Sequence, residues 1–519
     1  MKKLLAIMLM VVMIVSFASC VQKDKQSDTT DTTTAADTDS TTGEIEPAIL
    51  FDEPVKITIM APYHDSWPFQ EDWYVLDLIK RKANVTLVMD AVASTGWIDK
   101  YNITMASTDL PDIIWDFTAA QANTYGPEGA FVNILDHMDK LPNFRKFNEQ
   151  CKASVISNMS AEGALYSFPI YGIGNTNLRG WLYRKDIFDK HNISLPTNEN
   201  EFYNVLKQLK GLYPESYPLT FRENLTHFKM AATAWGTCNT EYYDWDEKVW
   251  KFGPSEENFK DMLAYYKKLY EEELIPMDWH TLTAQQWTQI VTTSNAFLTL
   301  DYIARVDTFG NPMRDENPEV DFRYMPPPAF GKNGQQKLRF SCESNTVMSP
   351  CAGKNQENTL KFLDWMYSDE GKDILSWGEE GVTYEIVNGE RRWKPIEGVE
   401  ISAATLRQKY GLSTNGMYLF FDYNSHAANF SPQLKEADTL AQKYQDTQIP
   451  IVALNQEEDE IDKTKGLAIR DHYRANAAKF ILGERPLEEF DAYVQELKEL
   501  GLNDYLNVLG NAFKRQTGS

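Results

Sequence analysis

The sequence predicts a helix-rich α/β protein with more than one lobe, and three features of the chain support that prediction. The first is a strand–helix–strand pattern over residues 55–89. The second is a further strand–helix pattern near residue 181, with amphipathic helices after it. The third is length. About 470 residues follow the polar N-terminal region, which is long for one hydrophobic core, so two or three lobes are expected.

The strand–helix–strand unit predicts parallel strands at the start of the folded region. Apolar residues alternate with polar or exposed ones over 55–59 and again over 85–89, and this period of two is typical of strands. Between them, Trp73–Ala83 has apolar residues at helical spacing. A strand, a helix and a strand in this order form a βαβ unit. The apolar segment Leu110–Phe117 is predicted to be a third strand.

Helices dominate the rest of the predicted elements. Within the second strand–helix pattern, Asn198 with Glu201 three residues later is typical of a helix start. Apolar residues at helical spacing predict amphipathic helices over 255–275 and 486–502. The chain has no internal repeat. Together, the predicted strands and helices indicate an α/β class with many helices.

The N-terminal region has the layout of a secretory signal that ends at a cysteine. Lys2 and Lys3 precede the apolar run Leu4–Val15, which is too short for a bilayer span of roughly 20 apolar residues. The segment "SFASC" then resembles the bacterial lipoprotein lipobox and implies acylation of Cys20. An ordinary signal peptide with a chance cysteine is the alternative. Residues 21–50 are rich in Thr, Asp and Ser and are predicted to form a disordered tether.

Composition and motifs exclude several classes of function. The formal net charge of −24 repels phosphate backbones, so nucleic acid is not expected as a partner. The histidines are scattered, and no zinc, nucleotide or serine-hydrolase motif occurs, so the sequence predicts no metal, no cofactor and no enzyme. Export permits a disulfide between Cys342 and Cys351. The alternative is that all four cysteines after Cys20 are buried thiols.

Aromatic residues form the strongest functional pattern. The chain has 13 Trp and 26 Tyr, many of them in polar, loop-like segments such as "APYHDSWPFQEDWY" and "TAWGTCNTEYYDWDEKVW". An aromatic ring packs against the apolar C–H face of a sugar, while neighbouring polar groups bind the hydroxyls. We therefore predict a sugar-binding cleft. The alternative for any single ring is that it fills the core of a large protein.

Several long segments, taken in order, resemble one family. They are "LPDIIWDFTAAQANTYGPEGAFVNILDHMDKLPNF", "WLYRKDIFDKHNISLPTNENEFY" and "SNTVMSPCAGKNQENTLKFLDWMYSDEGKDILSWGEEGVTYEIVNGE". With the lipobox before them, they resemble the extracellular solute-binding proteins of bacterial ABC transporters. The closest group is the large family-1 lipoproteins that bind oligosaccharides. The resemblance extends over almost the whole chain after the tether.

The resemblance implies a two-lobe periplasmic-binding-protein-like fold of type II, with the ligand cleft between lobes that close by a hinge motion. The implied organisation is 1–19 signal peptide, 20–50 lipidated cysteine and tether, 51–175 lobe 1, 176–340 lobe 2, 341–420 return to lobe 1 and hinge, and 421–519 lobe 2 with C-terminal helices. It also implies a monomer held by its lipid on the extracytoplasmic face of the cell membrane. There it would deliver an oligosaccharide to ABC permease subunits.

We expect the ligand to contact residues near the crossovers and the lobe edges. The predicted substrate-binding residues are Trp67, Trp115, Tyr171, Arg222, Trp235, Asp301, Glu380 and Tyr384. The alternative for Trp115 and Tyr384 is core packing, and for Arg222, Asp301 and Glu380 it is a structural ion pair or a helix cap. Some relatives bind calcium after the first crossover. The corresponding segment Leu209–Phe221 lacks the acidic repeat, so calcium is not expected here.

Three other functions remain open from the sequence. The same fold could bind a peptide or another small polar solute. Main-chain groups of the protein recognise such ligands, and main-chain recognition leaves no pattern in the sequence. The fold would also serve a sensory subunit. A surface glycoside hydrolase is a further alternative, and it requires two carboxylates facing a cleft at roughly 5 to 9 Å.

Overall fold

The computed structural model describes residues 49–63, 68–107, 109–222, 228–339, 346–413 and 416–518, without the side chains of residues 175, 176 and 228–230. These residues belong to one compact unit that begins at Ile49. Cys20, Trp67 and Cys342 lie outside the described residues. The predictions of lipidation and of one ligand contact therefore stay predictions. The predicted possibility of a Cys342–Cys351 disulfide is contradicted, because Cys351 is a free thiol.

The strands of the described chain are short apart from the first two. They are β1 (Val55–Tyr63), β2 (Val85–Ala93), β3 (Ile113–Asp116), β4 (Phe168–Pro169), β5 (Arg179–Arg184), β6 (Leu219–Thr220), β7 (Glu241–Asp244), β8 (Val249–Phe252), β9 (Leu298–Tyr302), β10 (Phe322–Met325), β11 (Val347–Pro350), β12 (Tyr384–Val387) and β13 (Glu390–Trp393).

The α-helices of the described chain separate and flank these strands. They are α1 (Tyr74–Ala83), α2 (Trp97–Met105), α3 (Ala120–Tyr125), α4 (Pro142–Gln150), α5 (Lys152–Ile156), α6 (Lys185–Lys190), α7 (Glu199–Leu212), α8 (Phe228–Ala234), α9 (Glu257–Glu271), α10 (Ala284–Thr292), α11 (Arg305–Glu316), α12 (Gln356–Trp365), α13 (Asp369–Trp377), α14 (Ala403–Tyr410), α15 (Tyr423–Ala427), α16 (Pro432–Lys443), α17 (Gln456–Ile461), α18 (Leu467–Leu482), α19 (Phe490–Glu499) and α20 (Leu502–Thr517).

The first sheet has the strand order β2-β1-β3-β11-β4. β1 pairs in parallel with β2 and β3, which confirms the predicted βαβ unit and the third strand. The helix between β1 and β2 ends at Asn84, whose φ of 55° is a left-handed conformation that asparagine tolerates better than most residues. β11 comes from much later in the chain and joins this sheet antiparallel, between β3 and β4.

The second sheet has the strand order β10-β5-β9-β6. β5 runs antiparallel to both β9 and β10, whereas β6 is parallel to β9. β6, β9 and β10 therefore point the same way, and their carboxyl ends lie at one edge of the sheet beside the start of β5. This arrangement sets the position of the candidate site described below.

Each sheet lies in its own hydrophobic core, and we call the two bodies the first and second lobe. The first core is made from residues within 51–173 and 348–421. The second is made from residues within 178–338 and 434–509. Both lobes are therefore discontinuous in sequence. The lobe boundaries inferred from the resemblance stay a prediction.

The predicted helix starts and amphipathic helices are confirmed. The Asn198 side chain accepts a hydrogen bond from the Glu201 N–H at 3.0 Å and caps α7. The Glu201 carboxylate accepts from the Thr197 N–H at 2.8 Å, one residue before the cap. The helices predicted over 255–275 and 486–502 are present as α9 and α19.

Three further findings bear on the chemistry of the described residues. Cys238 and Cys351 are buried free thiols, and burial raises the pKa of both. Within the described ranges no helix is long and apolar enough to cross a membrane. In the same ranges, no group of three or more His, Cys, Asp or Glu side chains is placed to hold a metal ion.

Candidate functional site

The carboxyl ends of parallel strands are the usual ligand-binding edge of an open α/β sheet. In the second lobe that edge is formed by the ends of β6, β9 and β10, with Arg179 of β5 paired opposite Tyr302 of β9. Charged and aromatic side chains from β5, β9, α11 and the segment after β6 meet there. We call the set Arg179, Arg222, Asp301, Tyr302 and Arg305 the arginine edge.

Asp301 is the anionic centre of the arginine edge. Its side chain is 0% exposed, and its two oxygens accept hydrogen bonds from Arg222 Nε at 2.7 Å and Arg305 Nε at 3.0 Å. The Tyr302 N–H also donates to Asp301 Oδ1, at 2.7 Å. A buried carboxylate needs such partners because an unpaired charge is costly to desolvate. The geometry therefore favours the structural ion pair for Asp301, which then acts by positioning the two arginines.

Tyr302 is the aromatic centre of the arginine edge. The guanidinium carbons of Arg179, Arg222 and Arg305 lie 4.1, 5.4 and 5.8 Å from the centre of its ring. Arg179 Nη2 also donates to the Tyr302 hydroxyl at 2.5 Å. Arg179 Nε is buried, and no residue that the structure describes accepts its hydrogen. The edge thus combines a half-buried aromatic ring with several guanidinium donors.

Trp287 of α10 supports the arginine edge from the core of the lobe. It is 1% exposed, and its Nε1 donates to Thr299 Oγ1 at 3.0 Å. Arg222 and Arg305 lie 6.0 and 5.5 Å from the centre of its ring. Cation–π contacts of this kind stabilise a guanidinium without using its N–H donors. Those donors remain available for the other contacts of each arginine.

The first lobe has its own strand-end group, Asp116, at the end of β3. Asp116 is 3% exposed, and Oδ1 accepts from Trp97 Nε1 at 3.0 Å and from the Phe117 N–H at 2.7 Å. Oδ2 is buried and has no partner among the described residues. Burial raises the pKa of this carboxyl. The adjoining Phe117 is 48% exposed, so an acceptor and an open ring follow each other at this edge.

The other predicted residues of the first lobe are spread over different parts of it. Trp115 is half-buried in β3 and packs against the first core. Tyr384 is 6% exposed, with its ring 5.6 Å from that of Trp377 and the Arg391 guanidinium 5.0 Å from its centre. Core packing, the alternative given for Tyr384, is therefore favoured. Glu380 is exposed beside it.

Tyr171 lies where the chain leaves the first lobe. Its N–H donates to the Leu419 carbonyl at 2.8 Å, and its carbonyl accepts from the Phe421 N–H at 2.9 Å. Two of the segments that connect the lobes are thus paired side by side. Gly172 follows with a φ of +92°, and a Cβ at this position would lie 2.3 Å from the Phe421 carbonyl oxygen. Only glycine fits this approach without movement.

Trp235 lies in the core of the second lobe, and its predicted stacking on a ligand is not supported. The side chain is 2% exposed. Its ring stacks on Phe330 at 5.3 Å and 20°, and the Tyr265 ring lies 5.5 Å away. Both faces of the indole therefore lie in the core, where a sugar ring has no access. Core filling, the alternative given for any single aromatic residue, applies here.

A second cationic group is buried in the first lobe. Arg407 of α14 is 5% exposed and lies 4.0 Å over the ring of Trp73. Its Nε and Nη1 have no hydrogen-bond partner in the described part of the chain, and neither does the buried Trp73 Nε1. Burial lowers the pKa of Arg407 to about 10, so the group stays charged at neutral pH. The sequence gives no indication of this pair because Trp73 and Arg407 are far apart in the chain.

Sequence reasoning identified part of the arginine edge and missed the rest. It selected Arg222 and Asp301, which the structure joins, but not Arg179, Tyr302 or Arg305. Tyr302 directly follows Asp301 at the end of β9, so extending the selection by one residue along the strand finds it. Asp116 follows Trp115 in the same way. The missing information was which strand ends share an edge.

The chain matches one family model over most of its length. The model described as "Bacterial extracellular solute-binding protein" matches residues 70–373. The lipoprotein LipO of Bacillus subtilis is 22% identical over 494 residues, which cover 88% of this chain and 92% of LipO. The fructooligosaccharide ABC transporter substrate-binding protein FusA of Streptococcus pneumoniae is 23% identical over 463 residues, which cover 80% of this chain and 82% of FusA.

Solved structures show the same fold. An HMO-binding, ABC-transporter-associated solute-binding protein of Bifidobacterium longum infantis has a TM-score of 0.74 at 17% identity, covering 90% of this chain and 99% of that one. The alginate-binding protein AlgQ2 without calcium ion has a TM-score of 0.71 at 24% identity and the same coverage. FusA in complex with kestose has a TM-score of 0.70 at 18% identity, covering 89% and 99%. The predicted two-lobe, periplasmic-binding-protein-like α/β fold is confirmed.

Proposed function

The chain belongs to the bacterial extracellular solute-binding protein family, and we propose that it captures an oligosaccharide between its two lobes. The observation that best supports this proposal is the arginine edge. At the strand ends of the second lobe, a half-buried tyrosine ring is surrounded by guanidinium donors. A sugar offers an apolar face to such a ring and hydroxyl acceptors to such donors.

The named specificities of similar proteins support a saccharide rather than another solute. FusA carries fructooligosaccharide in its name and was solved with kestose, and AlgQ2 is named for alginate. A further similar structure, from Streptococcus pneumoniae, is named an N-glycan transport solute-binding protein. These ligands differ in composition and linkage but are all carbohydrate. We therefore transfer the ligand class to this chain and not any one sugar.

We propose that the ligand contacts residues from both strand-end edges and from the crossing. In the second lobe these are Arg179, Arg222 and Tyr302, with Asp301 positioning the arginines. In the first lobe we propose Asp116 and Phe117, which place a buried acceptor and an exposed ring at the end of β3. From the original prediction, Trp67, Trp115, Tyr171 and Glu380 remain proposed contacts.

We propose that the lobes close around the ligand by a hinge at the paired segments near Tyr171 and Phe421. Contacts that exist only in the closed form would stabilise it, as in other two-lobed binding proteins. The loaded protein would then deliver its sugar to ABC permease subunits as a monomer. Acylated Cys20 and the tether of residues 21–50 would keep it near the permease at high effective concentration.

The anchor and the delivery can be tested separately from ligand binding. With Cys20→Ala we expect the protein to move from the membrane fraction to the culture medium, because the lipid is its proposed attachment. Equal membrane retention of both forms contradicts the anchor. Light scattering of the part from Ile49 onward tests the monomer, and a ligand-dependent pull-down with the permease tests delivery.

The binding function is tested by thermal shift followed by calorimetry on the same part of the chain. The panel contains plant and host oligosaccharides, monosaccharides and short peptides. A ligand at 100 times its dissociation constant stabilises the folded state by about 2.7 kcal/mol, which raises the melting temperature visibly. Binding of a saccharide without its hydrolysis supports the proposal. Hydrolysis indicates the glycoside hydrolase, and binding of peptides alone indicates the peptide-binding alternative.

A further inference from the structure

The arginine edge concentrates positive charge in an acidic protein. The formal net charge of the chain is −24, yet Arg179, Arg222 and Arg305 lie around one tyrosine ring. Asp301 accepts hydrogen bonds from Arg222 and Arg305 but has none from Arg179 among the bonds observed. The partner seen for Arg179 is the Tyr302 hydroxyl, which is neutral. Neutral sugar hydroxyls do not require such a concentration of cations.

Arg179 has donor capacity that the described residues leave unused. A guanidinium has five N–H donors in a planar fork and stays charged at any physiological pH. One of these groups, Nη2, donates to Tyr302, and the buried Nε has no partner among the described residues. The ring of Tyr302 lies 4.1 Å away and attracts the positive charge, but it does not take the place of a hydrogen-bond acceptor for the N–H groups in the guanidinium plane. A desolvated donor without an acceptor is costly, and a ligand acceptor removes that cost.

Arg305 extends this capacity along the same edge. Its Nε is bonded to Asp301, and its side chain is 26% exposed, so solvent and ligand can reach it. Trp287 and Phe309 hold the guanidinium at 5.5 and 5.4 Å from their ring centres. The group is therefore fixed by packing rather than by carboxylates alone. Preorganised guanidinium groups of this kind bind planar carboxylates with two parallel hydrogen bonds.

We propose that the arginine edge binds a carboxylate of the ligand, and that the ligands of this protein are acidic oligosaccharides containing uronic acid residues. This inference rests on the proposed saccharide-binding function and specifies its substrate class. Arg179 and Arg305 donate to the carboxylate, and Tyr302 packs against the sugar that carries it. Asp301 holds Arg222 and Arg305 in place and does not itself contact the acid.

The test compares acidic sugars with neutral counterparts of the same size. The part from Ile49 onward is titrated calorimetrically with trigalacturonate, an alginate trisaccharide and a glucuronic acid-substituted xylotriose. The controls are methyl-esterified trigalacturonate, galactotriose and xylotriose, and an acidic dipeptide provides a carboxylate without a sugar. We expect at least one acidic sugar to bind about 10- to 100-fold more tightly than its neutral counterpart, the range of one or two charged hydrogen bonds. Salt should reduce this preference.

Variants of Arg179 separate a ligand contact from a structural role. Arg179→Gln should remove the preference for the acidic sugar, because it should weaken binding of the acidic sugar much more than binding of the neutral one. Arg179→Lys should restore part of the preference. Arg323→Gln is the matched control, because Arg323 lies toward the other end of the same sheet and pairs with Asp321 and Glu436. Melting temperatures of all three variants verify that the lobe remains folded.

The outcomes distinguish this inference from the function beneath it. Equal binding of acidic and neutral sugars, with Arg179→Gln unchanged, overturns the inference and leaves the saccharide-binding function standing. Binding of neutral sugars alone does the same. If no saccharide of either charge binds, or if only the acidic dipeptide does, both the inference and the proposed function are overturned.

Discussion

Replacing Gly172 by alanine tests whether the connecting segments near Tyr171 and Phe421 are fixed against each other. Gly172 has a φ of +92°, and the new Cβ would lie 2.3 Å from the Phe421 carbonyl oxygen. The left-handed conformation costs an alanine about 1–2 kcal/mol, and the overlap about 1–3 kcal/mol more. The overlap cannot relax freely because Tyr171 is hydrogen-bonded on both sides, to Leu419 and Phe421.

Gly163→Ala is a matched control for the backbone contribution. Gly163 has a φ of +84°, and no atom lies within 4 Å of an added Cβ. This variant should therefore lose only the conformational part, about 1–2 kcal/mol. The difference between the two variants isolates the contact with Phe421. We expect Gly172→Ala to be less stable than Gly163→Ala by about 1–3 kcal/mol.

The assay is urea unfolding of the part from Ile49 onward at 25 °C, followed by tryptophan fluorescence. The free energy of unfolding is extrapolated to water for the wild type and both variants, with the slope of each transition compared. If Gly172→Ala loses no more stability than Gly163→Ala, the connecting segments separate at little cost. That result refutes the reasoning, and the hinge then lies elsewhere or is looser than the hydrogen bonds indicate.

Three other substitutions, two of them paired with a control variant, test the interpretation of buried groups. Trp235→Ala should lower the free energy of unfolding by about 3–5 kcal/mol, because it leaves a cavity in the core. Trp245 is 46% exposed, so Trp245→Ala should lose less than about 1 kcal/mol. Loss of sugar binding at unchanged stability would instead support Trp235 as a ligand contact. Burial raises the pKa of Asp116, so the folded state binds its proton more tightly and stability falls as pH rises above the usual aspartate pKa of about 3.9. Asp116→Asn should therefore be more stable than wild type at pH 7 and gain nothing at pH 3 in denaturation curves; an equal gain at both would contradict ionisation as the cause. Arg407→Met should raise the melting temperature, because it removes a buried cation without a described ionic partner. The control Arg184→Met breaks a bidentate pair with Asp186 and should lower the free energy of unfolding by about 3 kcal/mol. A loss of stability in both variants would show that Arg407 stabilises the lobe.

Local elements were predictable because their causes lie within a few residues. The first βαβ unit follows from alternating and helical spacing over 55–89, and the cap of α7 follows from Asn198 and its neighbours. The position of β11 was not predictable in this way. Val347–Pro350 joins the first sheet between β3 and β4, and its backbone would pair equally well with many extended segments. Only the packing of the complete lobe selects those partners.

The candidate site shows the same division. A search for charged and aromatic residues found Arg222 and Asp301 but could not join them to Arg179, because their meeting depends on which strand ends share an edge. For Trp235, the sequence predicted an open environment that the structure does not show, and the reason is related. Its neighbours Thr233 and Thr237 are polar, which favoured an open loop, but both are 2% exposed in the folded chain. Polarity of the surrounding sequence is a poor measure of exposure when threonines are buried.

The core of each lobe is complete only when a distant part of the chain has joined it. The first core needs residues up to 421 to cover elements that begin at residue 51, and the second needs residues up to 509. Closing such long loops is slow, because the chain loses conformational entropy before the contacts between its distant parts form. A polypeptide emerging from the ribosome therefore has no complete core until at least residue 421 has been made. A nonsense mutation near residue 340 would therefore destroy both lobes rather than spare the first.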